Sequence, residues 1–276
     1  MRRRSESGIE WNYEWRGRES KPVLALVHGF AGSLTSWDDL TRHLERHFRL
    51  LLVDLPGHGG TPVPEKPMTL RELGTALGEF LQSIADGAAM MCGYSMGGRF
   101  ALHTALFSSL AVRALILVGA SPGIENARER KERQASDQAL AEKILANGVE
   151  WFADYWGSLP LFASQNMLPP DMQAELRASR LACDPQGLAY CLKNFGTGEQ
   201  EFLGHELHRL SCPVLLMAGA LDEKFSHLNH YMAASIGTAA VRVVEIPDAG
   251  HAAHIENSQA VARQIILFSE NLRIET

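Results

Sequence analysis

The amino-acid sequence predicts an α/β fold: a mostly parallel central sheet, helices on both faces and a helical insertion in the second half. Three observations carry this expectation. Six short apolar runs recur along the 276 residues, each followed within two positions by Gly, Asp or Pro. Stretches with helical apolar spacing lie between them. The alternation stops between about Pro122 and His205 and then resumes. Runs that are apolar throughout suit strands covered on both faces, which is the setting of a parallel sheet.

Taken in order, Met1-Arg2-Arg3-Arg4 reads as a solvated basic tail. No apolar core follows it, so a secretion signal is not expected. Trp11-Asn12-Tyr13-Glu14-Trp15 alternates and fits an antiparallel edge strand. Val23–Val27 and Leu50–Val53 are strands ending at His28-Gly29 and Asp54. Leu70, Leu73, Leu77, Phe80, Leu81 and Ile84 mark one face of a helix. Ala88–Cys92 and Ala114–Val118 are the next strands. Residues 122–205 hold Trp151, Phe152, Tyr155, Trp156, Phe162 and several arginines without a strand pattern. They read as a lid, with ordinary outer helices as the alternative. Val214–Met217 and Val241–Ile246 complete the strands. Val261, Ile265, Phe268 and Leu272 mark a final helix. The chain thus divides into a core of residues 1–121 and 206–276 and a helical lid of residues 122–205.

Composition narrows the function. The 26 basic and 32 acidic residues leave a net charge of −6, which disfavours a nucleic-acid partner. No apolar run approaches the roughly 18 residues of a membrane span, so no membrane insertion is expected. Four cysteines (Cys92, Cys183, Cys191, Cys212) show no metal-knuckle spacing. Cys92 and Cys212 read as core thiols of a reduced, cytoplasmic protein. Gly29, Gly32 and Gly57 do not form a dinucleotide fingerprint, and no metal or other cofactor is expected. The sequence carries no signal for oligomeric state.

The chemistry is concentrated in Gly93-Tyr94-Ser95-Met96-Gly97. This G-x-S-x-G follows an apolar run and precedes a helical pattern. Among 24 glycines the motif alone is weak; its place between strand and helix gives it meaning. A serine hydroxyl needs a base, and that base needs a carboxylate to fix its tautomer. His251, after the last strand run, is the base candidate. Asp222, after the Val214–Met217 run, is the carboxylate candidate. Each also has a plainer reading, as a loop histidine and a helix cap, and Asp54 is a weaker alternative acid. Two backbone N–H groups are expected to hold developing negative charge, those of Met96 and Phe30, with Ala31 as the substitute for Phe30. His254 reads as a supporting or surface histidine. Arg99, one turn after Ser95, either faces the same cavity or is an exposed helical arginine.

At this point the sequence resembles the α/β-hydrolase superfamily. The resemblance rests on His28-Gly29-Phe30, Asp54-Leu55-Pro56-Gly57-His58-Gly59, the serine turn, Asp222 and Gly250-His251, and it extends over nearly the whole chain. Gly93–Arg99, Ser121-Pro122-Gly123-Ile124, Asp154-Tyr155-Trp156, Pro160-Leu161-Phe162 and Asp222-Glu223-Lys224-Phe225 resemble, more narrowly, the 2-succinyl-6-hydroxy-2,4-cyclohexadiene-1-carboxylate (SHCHC) synthases of menaquinone synthesis. Ala220-Leu221 departs from that pattern, where an acidic or polar residue is usual, and so does the order Tyr155-Trp156. The resemblance implies an α/β-hydrolase fold and a lyase that expels pyruvate from a small polycarboxylate. It implies Ser95 as base, and substrate contacts from Arg99, Arg133, Arg180, Tyr94, Tyr155 and Trp156. A serine hydrolase (carboxylesterase, thioesterase or carbon–carbon bond hydrolase) is the competing enzyme class. A non-catalytic ligand receptor is the competing non-enzyme.

Overall fold

A computed structural model of the chain describes residues 1–85, 87–108, 111–238 and 240–274. Eight strands form one sheet: β1 (Arg2–Arg4), β2 (Glu10–Arg16), β3 (Val23–Val27), β4 (Arg49–Val53), β5 (Ala89–Tyr94), β6 (Val112–Val118), β7 (Val214–Gly219) and β8 (Val241–Ile246). Their spatial order is β1-β2-β4-β3-β5-β6-β7-β8. β1 and β2 run antiparallel to their neighbours, and the ladders from β4 to β8 are parallel.

The helices are α1 (Asp38–Leu44), α2 (Leu70–Ile84), α3 (Met96–Phe107), α4 (Ala127–Gly157), α5 (Pro170–Leu181), α6 (Pro185–Phe195), α7 (Glu223–Ser235), α8 (Ala253–Glu256) and α9 (Ser258–Ile274). Strand alternation sorts the core onto two faces. Ala25, Val27, Leu51 and Val53 pack with Phe80 of α2 and Phe100 of α3. Leu24, Leu26, Leu50 and Leu52 pack on the other face with Leu40 of α1 and Ile265 of α9.

Two expectations at the N-terminus are corrected. Arg2–Arg4 is not a loose tail but an edge strand, pairing Arg2 with Asn12 and Arg4 with Glu10. Backbone pairing does not require apolar side chains, and three exposed arginines discourage further strands from adding there. β2 therefore lies between β1 and β4, not at the edge.

Residues 122–205 contain no strand among the described residues. Asn126 caps α4 by accepting from the N–H groups of Arg128 and Glu129. The helix breaks at Gly148, whose φ of 79° suits only glycine comfortably. Ala141, Ile144 and Phe152 of α4 bury against Leu188, Ala189 and Leu192 of α6. Ala31 joins this cluster from the loop after β3, so the helical segment is anchored beside the C-terminal edge of the sheet.

Candidate active site at the carboxyl edge of the sheet

β5 ends at Tyr94 and α3 begins at Met96, so Ser95 alone makes the turn. It adopts φ 50° and ψ −109°, a strained conformation for a residue with a side chain. Such tightness requires glycines nearby. A Cβ on Gly93 would lie 2.4 Å from the Gly97 carbonyl oxygen, and one on Gly97 would lie 2.1 Å from that of Val27. Gly97 thus sets how closely the serine turn approaches the loop after β3.

The Ser95 hydroxyl donates to His251 Nε2 at 3.1 Å. His251 Nδ1–H donates to Asp222 Oδ2 at 2.8 Å. His251 and Asp222 are both buried. The other Asp222 oxygen, Oδ1, accepts from the Phe225 N–H at 3.3 Å and caps α7. The capping and histidine-orienting readings of Asp222 therefore hold together, one oxygen for each. Phe225 covers the imidazole, its ring centroid 4.5 Å away. Asp54 belongs elsewhere: its oxygens accept from Asn12, Leu34 and Gly60, closing the turn after β4.

Met96 is the first residue of α3, so its N–H has no acceptor within the helix. Phe30 and Ala31 lie in the loop after β3, whose start at Val27 and His28 is closely approached by Gly97 of α3. The Ala31 N–H donates to His58 Nε2 at 3.1 Å, which engages the substitute donor and leaves Phe30 as the loop's candidate. That bond also fixes His58 with its proton on Nδ1, facing the Pro56 carbonyl. His28 works similarly, accepting from the Leu55 N–H and donating to the Gly29 carbonyl. Burial lowers His28 to about 4; burial, with His28 nearby, lowers His58 to about 3. Both rings are neutral braces. In the sequence His58 belongs to a tight turn, and nothing local there shows which backbone donor needs it.

Ser95 opens into a cavity of about 500 Å³. Its walls include Arg99, Arg133 and Lys224 as well as Ser121, Phe225 and Tyr231, with Glu125 and Glu129 also present. Arg99 is buried and donates to the Phe195 carbonyl at 2.9 Å and to Gln200 Oε1 at 3.3 Å. Among the described residues no carboxylate pairs with it within 4.0 Å. Burial, and then the neighbouring Arg133, lowers Arg99 to about 10. Arg133 is tethered to Asp137 at 2.8 Å. The exposed-arginine reading of Arg99 is therefore excluded, and Arg99 and Arg133 share one cavity with Ser95.

The other candidates are not in that cavity's wall. Arg180 donates to Gln165 at 2.7 Å and lines a small recess with Phe30, Tyr94, Trp156 and Phe162. Tyr155 is 38% exposed, stacks on Trp151 and lines neither this recess nor the cavity at Ser95. Trp156 instead packs on Phe30 at 5.1 Å. His254 is buried rather than on the surface, its ring tilted against Tyr94 at 4.1 Å. Among the described residues, no group of three or more His, Cys, Asp or Glu could hold a metal ion, and no helix is long and apolar enough to cross a membrane.

Residues 22–258 match the alpha/beta hydrolase fold family. The chain is 34% identical to the putative 2-succinyl-6-hydroxy-2,4-cyclohexadiene-1-carboxylate synthase of Bacillus subtilis, over 95% of each chain. It is 31% identical to the enzyme of that name from Photorhabdus laumondii, over 90% of this chain and 86% of the relative. The structure of MenH from S. aureus superposes with a TM-score of 0.89 at 31% identity, covering 95% of this chain and 98% of that one. The sheet order, the serine turn and these likenesses agree: the chain belongs to the alpha/beta hydrolase fold family and, within it, to the SHCHC synthase family.

Proposed function

We propose that this protein eliminates pyruvate from 2-succinyl-5-enolpyruvyl-6-hydroxy-3-cyclohexene-1-carboxylate to give SHCHC. The observation that carries this reading is one cavity shared by two arginines and by Ser95, the end of the serine–histidine–aspartate chain; among the described residues one of these arginines has no carboxylate partner. An ester pocket has no need of buried cations. A polycarboxylate does, because arginine pairs carboxylates through paired hydrogen bonds.

In this mechanism His251 takes the Ser95 hydroxyl proton, and Asp222 stabilises the imidazolium that forms. The Ser95 oxygen takes the ring proton next to the succinyl carbonyl. The electron pair moves first onto that carbonyl oxygen, held by the N–H groups of Met96 and Phe30. It then returns through the ring, forms the second double bond and breaks the bond to the enolpyruvyl oxygen. His251 returns its proton to the leaving group, which becomes pyruvate. Atoms and charge balance without an acyl-enzyme. Arg99 and Arg133 hold carboxylates, while Arg180 and Trp156 belong to a lid of residues 122–205 that closes over the ligand. The four free thiols suit a reducing cytoplasm.

The test is release of pyruvate from the pathway intermediate, followed through a coupled dehydrogenase. Turnover that yields pyruvate and SHCHC supports the proposal. An inert intermediate, together with rapid acylation of Ser95 by an activated ester, favours the hydrolase reading instead.

A further inference from the structure

Gln200 lies in the segment between α6 and β7 and is almost fully buried. Its Oε1 accepts from Arg99 Nη1 at 3.3 Å. Its Nε2 donates to the Ser121 carbonyl at 3.4 Å. Arg99 and Ser121 both line the cavity beside Ser95. One amide therefore spans two walls of the cavity and is satisfied at both ends, which also settles which end is oxygen. The same segment is clamped around it: the Leu203 N–H donates to the Pro122 carbonyl at 2.7 Å, and Glu201 pairs with Arg71 at 2.7 Å.

Buried arginines are usually neutralised by a carboxylate. Here both acceptors of Arg99, the Phe195 carbonyl and the Gln200 amide, are neutral. Glutamate would fit the same volume and bind the guanidinium more strongly. It would also cancel the charge.

We propose that Gln200 is a positioning residue whose neutrality determines specificity: it aims Arg99 into the cavity while leaving the guanidinium charge free for an anionic ligand. The substrate class this selects is a carboxylate reaching past Ser95 to Arg99. The inference rests on the lyase reading for the identity of that carboxylate, not for the anion preference itself.

The test compares wild-type protein with Gln200→Glu, using phthalate as a planar dicarboxylate probe and phthalamide as its neutral counterpart. Binding is measured by calorimetry, and melting temperature is recorded alongside. Gln200→Glu keeps the acceptor on Arg99 but gives up the donor to the Ser121 carbonyl, so melting is expected somewhat below the wild-type temperature, and affinities are compared at a temperature where both proteins are folded. Phthalate affinity is expected to fall about 10- to 100-fold, the size of a lost charge-assisted hydrogen bond, while phthalamide binding stays unchanged. A merely structural glutamine would leave phthalate affinity intact in a folded Gln200→Glu protein, and that result overturns the proposal. Equal binding of phthalate and phthalamide by the wild type overturns it too.

If Gln200→Glu does not fold, Gln200→Met decides the matter, since it keeps the volume and the arginine charge but not the acceptor. A several-fold rise in KM with kcat nearly unchanged supports the positioning role, and an unchanged KM contradicts it. Pyruvate release by the wild type is a separate readout. Its failure would remove the lyase reading while the phthalate comparison still stood.

Discussion

Ser95 is held at φ 50° by its neighbours, not by its own preference. Strain of this kind persists where the surrounding structure over-determines the backbone. Ser95→Gly is expected to relieve it and stabilise the fold by about 1 kcal/mol while abolishing turnover; a denaturation midpoint and a pyruvate assay on the same preparation check both halves. Asp222 serves two partners, so Asp222→Asn should separate its roles. The cap on Phe225 is retained by the amide oxygen, whereas the imidazole loses the acceptor that fixes its tautomer. The expected result is a kcat loss of about 10³- to 10⁴-fold with little change in melting temperature. At this scale the sequence was informative where chemistry demands a residue type in a set order. Ser95, Asp222 and His251 could be placed because each follows a strand run. Gln200 could not, since a buried glutamine in the irregular connection between α6 and β7 has no periodicity or motif to mark it.

At the scale of elements, the loop after β3 is braced from a second turn. His58 receives the Ala31 N–H, and removing that acceptor leaves a buried donor unpaired. His58→Leu is therefore expected to cost about 1–3 kcal/mol of stability. It should also lower kcat more than it raises KM, because the brace adjoins Phe30, the proposed charge-holding donor; steady-state kinetics would show the split. Strand runs were legible because continuous apolar stretches bury both faces. The edge pairing of Arg2–Arg4 was not, because hydrogen bonds between backbones leave no trace in side-chain polarity. The helical character of residues 122–205 was visible in the missing strand pattern. Which arginines turn inward was not, since that depends on how α4 and α5 are placed against the core, and it separated Arg133 on α4 from Arg180 on α5.

At the scale of the whole molecule, an acidic chain concentrates Arg99 and Arg133 beside its serine, so net charge does not identify the ligand. Four histidines are buried as neutral rings. Burial, the largest cause in each, lowers His28 and His103 to about 4 and His58 and His254 to about 3, from the ordinary 6.5. Below 6.5 the unfolded chain binds protons that the folded chain refuses. Their contribution is therefore whole above 6.5 and declines as pH falls toward 4, at about 1.4 kcal/mol per pH unit for each histidine. Urea midpoints between pH 7.5 and 5 should fall accordingly. His254→Phe, which keeps an aromatic ring against Tyr94 and Trp37, should make that fall shallower.

The central claim is that Ser95 acts as a base toward carbon and not as an acyl acceptor. A single-turnover experiment with the pathway intermediate deuterated next to its succinyl carbonyl, followed by both pyruvate release and intact protein mass, tests it most directly. The expected result is slower pyruvate release from the deuterated compound with Ser95 unmodified throughout. Equal rates for the two isotopes, together with a transient adduct on Ser95, would contradict it.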